Sequence, residues 1–219
     1  MCRFINKRRI IIYLLFVVVL TTSCTSKKID EQVKAYQEAH NSGNVKKELS
    51  FYTEDVTIEV VGEWTVKGKE GLRTLVETDA ALNSHLIFTD LKVSNNKVTC
   101  SVEEQNDMLK IAGIDTLYYE FREFTFEKGL IKGVRTKSTE KSAKAMQEFR
   151  LSFVGWAGEN QREELAELQG EGLMTKNNVG RWLALMRAWQ EESKKEVEKL
   201  DLLNVPPDSK IDANSTTQR

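Results

Sequence analysis

Few side chains in this sequence have the type and spacing for chemistry. Tyr36 and His40 stand one helical turn apart, so a phenol and an imidazole share one helix face. Such a pair can donate hydrogen bonds to a polar ligand atom, and the imidazole can also move a proton. Each has a plainer reading. A tyrosine on an apolar face packs as core with its hydroxyl satisfied, and a histidine there packs or sits at a rim. Arg122 and Glu104 lie in stretches of alternating residues. Arg122 shares parity with Phe124 and Phe126, and Glu104 with Val98, Cys100 and Val102, so all are expected to point inward. An inward arginine needs a partner. Glu104 supplies it as an ion pair, or a ligand carboxylate takes the guanidinium bidentately, or the parity breaks at Tyr118-Tyr119 and both residues face water. His85, beside Asn83 and Ser84, reads as a loop residue. With two distant histidines and no Cys or Asp cluster at ligand spacing, no metal or other cofactor is expected. Cys100 reads as a small buried hydrophobe, since a reactive thiol needs an electropositive, partly exposed setting.

The elements that must position these residues follow from periodicity. Ile29, Val33, Tyr36 and His40 form the apolar face of a first helix. Asn41-Ser42-Gly43-Asn44 is a turn, and Asn44 is placed to cap a second helix. There Val45, Leu49 and Tyr52 recur at helical spacing. After Asp55 the period changes to two, and Val56, Ile58 and Val60 alternate as a strand. Gly62 and Gly68 bracket a loop tip carrying Trp64, and Leu72, Leu75 and Val76 resume a helix. Strands are expected from His85, over Lys97 to Asp107, over Leu117 to Glu127 and over Leu130 to Lys137. Asn95-Asn96, Ala112 to Asp115 and Lys128-Gly129 connect them.

This order resembles the superfamily that includes SnoaL-like proteins, ketosteroid isomerases and nuclear transport factor 2. The resemblance rests on GNVKKELSFYTEDV (Gly43 to Val56), GKEGLRTL (Gly68 to Leu75) and Phe124-x-Phe126-x-x-Gly129-x-Ile131. It covers residues 29–138. It implies an α+β fold: a cone in which N-terminal helices pack on a curved, mostly antiparallel sheet and leave a pocket between them. The pocket residues it implies here are Tyr36, His40, Val60, Glu104, Arg122 and Phe124. In the family's isomerases a carboxylate base works beside a ketone while two donors hold the developing oxyanion. The tyrosine donor falls on Tyr36. The base falls on Val60, which takes no proton, and the acid donor falls on Arg122, which inverts the local charge. Glu59 adjoins the base position but points to the opposite face. That chemistry is disfavoured unless a bulge shifts the register.

The flanks carry a different message. Arg3, Lys7, Arg8 and Arg9 precede an apolar run of 11 residues, Ile10 to Leu20, shorter than the roughly 20 that span a bilayer. Residues 1–23 read as a secretory leader. Leu20-Thr21-Thr22-Ser23-Cys24 resembles a bacterial lipobox, which implies cleavage before Cys24, lipidation of that cysteine, and residues 24–28 as tether. Cys100 is then the one remaining cysteine, and no internal disulfide forms. Loss of the four basic residues leaves 28 Lys+Arg against 33 Asp+Glu, a net charge near −5, which argues against nucleic acid.

Residues 139–203 read as a helical extension. Phe149, Phe153 and Trp156 form one stripe, interrupted by Gly155 and Gly158. Glu163 to Leu168 forms a short helix ended by Gly170 and Gly172. Trp182, Leu185, Met186 and Trp189 make a second stripe in a last helix that Asn178 caps. Those stripes bury against their own domain or against a partner, including a second copy. Residues 204–219 read as a disordered tail. The expectation is a lipid-anchored envelope protein, sorted to the outer membrane. Its cone binds a small, partly apolar molecule or serves as an interaction module. The alternatives are an isomerase, cyclase or hydratase using Tyr36 and His40, and a structural partner docking through the tryptophan-rich extension.

Overall fold

The computed structural model describes residues 29–172 and 174–203. The lipidation site Cys24, the leader, the tether and the tail 204–219 lie outside the described residues. Among the described residues the chain runs through helix α1 (29–41), then α2 (Val45–Leu49), β1 (Tyr52–Val60), β2 (Trp64–Lys67), α3 (Lys69–Ala81), β3 (His85–Ser94), β4 (Lys97–Gln105), α4 (Asp107–Ile111), β5 (Leu117–Glu127), β6 (Leu130–Ser138), α5 (Glu140–Asn160), α6 (Arg162–Gly170) and α7 (Val179–Leu203).

These strands form one six-stranded sheet in the order β2-β1-β6-β5-β4-β3. Strands β1 and β6 run parallel, and the other described pairs are antiparallel. Register shifts interrupt every pairing except β1 with β2. Each extra residue bends its strand and raises the local twist, so the sheet curves around α1, α2 and α3. The hairpin β5–β6 turns at Lys128 and Gly129, both at positive φ, as a two-residue turn matched to strand twist requires. This is the α+β arrangement that the sequence resemblance implies, with N-terminal helices packed on a curved, mostly antiparallel sheet.

Several expectations are corrected. The helical spacing through Tyr52 ends at Leu49. Asn44 does cap α2, accepting from the Lys47 N–H at 3.0 Å, but the helix is only 5 residues long. Tyr52 opens β1 and is buried. The segment around Trp64 is a strand paired with β1 rather than a loop tip. The strand from Lys97 stops at Gln105, because Asn106 accepts from the Leu109 N–H and starts α4. Gly155 and Gly158 do not interrupt α5. Their cost in a helix, about 1 kcal/mol each, is outweighed by the burial of Phe149, Phe153 and Ala157 along the same helix.

Two apolar clusters result. The cone core joins Val33 and Tyr36 of α1 to Leu72 and Val76 of α3, and both to Val98, Val102, Phe124 and Ile131 of the sheet. The second cluster packs α5, α6 and α7 together through Phe149, Phe153, Leu168, Leu183 and Met186. It also takes in Leu82, just after α3, and Ile111 of α4. Trp189 meets Phe149 edge-on at 5.4 Å, and Gln190 donates to the Ile111 carbonyl at 2.7 Å. The tryptophan stripe of α7 therefore packs within its own chain. Phe124, fully buried against Tyr36 and Phe88, ties sheet to helix. Phe124→Ala is expected to lower stability by about 3–5 kcal/mol, measured by denaturant unfolding.

Candidate functional site

A cavity of about 210 Å³ lies between the sheet and helices α1 to α3. Ile58, Val60, Leu72, Leu75, Val76 and Trp64 give it an apolar side, and Trp64 is 43% exposed at its edge. The polar side is built from Tyr36, His40, Glu48, Asp79, Ser84, Glu104, Tyr119, Arg122 and Thr136. Of the residues singled out in the sequence, Tyr36, His40, Val60, Glu104 and Arg122 line this cavity. Phe124 stands behind them in the core, against Tyr36 and Phe88. His85 is exposed at the start of β3, with its Nε2 3.2 Å from the Asn41 amide nitrogen.

Arg122 and Tyr119 reach the cavity together because of a bulge. Cys100 pairs with Arg122 but Val102 pairs with Tyr119, so β5 carries one extra residue at this point. Two side chains three positions apart thereby share a face, which an unbroken strand forbids. The Arg122 guanidinium donates from Nε to Thr136 Oγ1 at 3.1 Å and lies 5.5 Å and 5.8 Å from the ring centres of Tyr119 and Phe88. Such faces favour a cation. The expected ion pair with Glu104 does not form. Among the described residues no carboxylate lies within ion-pair distance of Arg122, and its terminal nitrogens have no hydrogen-bond partner. Glu104 instead accepts from Tyr119 Oη at 2.6 Å and Asn106 Nδ2 at 3.0 Å. Burial and the Glu104 charge together hold the Tyr119 phenol well above its usual pKa.

His40 is buried and held at both nitrogens. Nδ1 lies 3.1 Å from Glu48 Oε1, and Nε2 lies 3.2 Å from Ser84 Oγ. Ser84 Oγ is 3.4 Å from Glu104 Oε1. If the serine donates to Glu104, its oxygen is free to accept from Nε2–H, and the chain Glu48–His40–Ser84–Glu104 is complete for the imidazolium. Burial opposes that charge, but the hydrogen bond and charge of Glu48 outweigh it, and the His40 pKa is raised. Tyr36 sits at the centre of an aromatic cluster, stacked on Phe88 at 6.0 Å and edge-on to Tyr52 at 5.8 Å. Burial, then Tyr52, pushes its phenol well above the usual value, so it stays a neutral donor. Burial likewise raises Cys100 to about 11, and its thiol points at the Arg122 carbonyl.

Sequence reading missed Asp79 and Glu48. Both continue a stripe that was seen. Asp79 stands seven residues after Leu72 and three after Val76, and Glu48 stands between Val45 and Leu49 on the face that turns to the core. An acid within an apolar face was the available signal. The Asp79 carboxyl has no hydrogen-bond partner among the described residues. Burial first, then the Glu104 charge, lifts its pKa to about 7, with His40 and Arg122 pulling the other way. Among the described residues no group of three or more His, Cys, Asp or Glu side chains is arranged to hold a metal ion.

Comparison with known proteins adds the following. No family model matches the chain, and no curated protein does. Among solved structures, the epoxide hydrolase/cyclase-like enzyme SalBIII, with a role in pyran ring formation in the polyether salinomycin, matches at 19% identity. That match covers 53% of this chain and 94% of the enzyme, with a TM-score of 0.48. An LEH-like epoxide hydrolase from M. tuberculosis matches at 13% identity over 59% of this chain and 97% of its own, TM-score 0.46. An NTF2-like protein of unknown function from Cytophaga hutchinsonii matches at 13% identity over 53% and 94%, TM-score 0.44.

The raised Asp79 fixes a sign. Its folded state holds a proton more tightly than the unfolded chain, so stability falls as pH rises from about 4 to the folded value of about 7. Asp79→Asn removes this penalty. Reduced for water in the cavity, the gain at pH 8 is expected to be about 1 kcal/mol, or roughly 2–4 °C in Tm. It should shrink steadily towards pH 4, as thermal melts across that range would show.

Proposed function

We propose that this protein binds a compact, partly apolar small molecule inside its cone. The observation that carries the reading is the cavity itself. One side is aliphatic, and the other presents Arg122 and Asp79 with polar atoms that the described residues leave without hydrogen bonds. Both groups line the cavity, where a ligand of matching polarity can pair with them. The volume, about 210 Å³, equals roughly seven waters at about 30 Å³ each, so the ligand is the size of one small ring. Native and denaturing mass spectrometry of the full chain tests this. A reproducible extra mass under native conditions is expected, and its loss in Leu75→Trp, which fills the aliphatic side, would locate it. A bare chain whose tryptophan emission also stays unchanged with every small ring compound offered would sink the reading.

A second reading is favoured by one group. A carboxyl poised near neutrality in a cavity is suited to proton transfer. On this reading the protein is an acid–base enzyme with Asp79 as the proton carrier, in place of the absent base at Val60. Asp79→Asn would then abolish turnover while ligand binding survives.

The setting we propose is the cell envelope, with a lipid on Cys24. The support is the basic, apolar and small-residue order of residues 1–24. Radiolabelled palmitate should be incorporated into the wild-type chain, and Cys24→Ala should lose that label and leave the membrane fraction.

A further inference from the structure

We infer that the ligand of this cavity is a small carboxylate whose binding takes up one proton, shared between its carboxylate and Asp79, while Arg122 supplies the positive charge. This rests on the small-molecule reading above and names its chemical class. The groups that face Asp79 are Glu104 on β4, His40 on α1, Glu48 on α2, Arg122 on β5, and the phenols Tyr52 and Tyr119. Most of these are already engaged. Glu48 holds His40, while Glu104 accepts from Tyr119 and Asn106. What remains open to the cavity is one cationic donor, Arg122, and one carboxyl, Asp79.

A guanidinium edge matches a carboxylate in shape and charge. An ionised Asp79 would repel that ligand, whereas a protonated Asp79 donates to it. Burial and the neighbouring Glu104 favour the protonated carboxyl, so above about pH 7, where the empty cavity holds Asp79 ionised, the anion and the proton enter as a pair. The charge count agrees: the incoming carboxylate brings one negative charge and the captured proton one positive, leaving the cavity's balance unchanged. No bond other than those to the transferred proton forms or breaks. The aliphatic side formed by Leu72, Leu75 and Val76 then receives the ligand's apolar body.

Benzoate, ionised across the neutral and mildly alkaline range, and its neutral isostere benzamide are the probes. Isothermal titration calorimetry of the full chain in two buffers of unequal ionisation enthalpy counts protons directly. Benzoate is expected to bind with uptake of nearly one proton at about pH 8.5 and of almost none at about pH 6. Its affinity should fall by about tenfold per pH unit above 7. Asp79→Asn should keep benzoate binding but flatten the pH dependence, and Arg122→Met should weaken benzoate by at least about tenfold while sparing benzamide. Benzamide binding as tightly as benzoate throughout, benzoate binding without proton uptake, or a pH dependence that persists in Asp79→Asn and so belongs to His40 would each overturn the inference. In all three cases the cavity would still be a ligand site. If neither probe binds, the inference falls, and native mass spectrometry decides separately whether the cavity holds another class of molecule.

Discussion

Everything on the polar side of the cone depends on one charge placed where charges are costly. Removing a guanidinium from water is unfavourable by several kcal/mol unless its surroundings compensate. Arg122 is compensated in pieces. Thr136 takes one N–H, the faces of Phe88 and Tyr119 offer their π-clouds, and Glu104 acts from beyond contact distance. The Glu104 oxygens are taken by Tyr119 and Asn106 rather than by the arginine. The tyrosine thus works twice, as a wall for the cation and as a hydrogen-bond donor to the anion. This arrangement keeps the guanidinium edge available to a third party.

The same geometry explains the other acids. Burial first, and then the charge of the fixed Glu104, makes the Asp79 proton hard to remove. Glu48 meets His40 directly instead. Three acids in one small space therefore have three environments: a hydrogen-bonded anchor, an ion-paired partner and a carboxyl poised near neutrality. Their separation comes from which elements they stand on, since α2, α3 and β4 approach the cavity from different sides.

Much of the fold was legible in the sequence. The three helices of the cone and the meander β3 to β6 follow from a change in period, from the helical spacing of Leu72, Leu75 and Val76 to the alternation after His85. Two features resisted. The pairing of Trp64 to Lys67 with β1 rests on only four residues, too short an alternation of Trp64 and Val66 to stand out between Gly62 and Gly68. The shared face of Arg122 and Tyr119 turned on a bulge between them, which no residue type announces. Parity with Phe124 points Arg122 inward, where it lines the cavity, but the same counting left Tyr119 ambiguous. The expected Arg122–Glu104 pair failed because the competing partners of Glu104, Tyr119 and Asn106, lie on β5 and at the start of α4. Their convergence is a property of the assembled sheet. Asp79 and Glu48 were visible as letters within apolar stripes but were passed over for their hydrophobic neighbours.

The parallel pairing of β1 with β6 has a kinetic side. Ile58 meets Val134, and Glu59 reaches Arg135 across 76 residues of chain. Contacts of such separation are slow to form, because the intervening loop must lose its freedom before they reward it. Without β6, Ile58 has only the short β2 as a strand neighbour. The aliphatic residues of β1 and the polar residues of β5 become walls of one enclosure only when β6 pairs with both strands. A ribosome making this chain must release everything up to Ser138 before the cone can close.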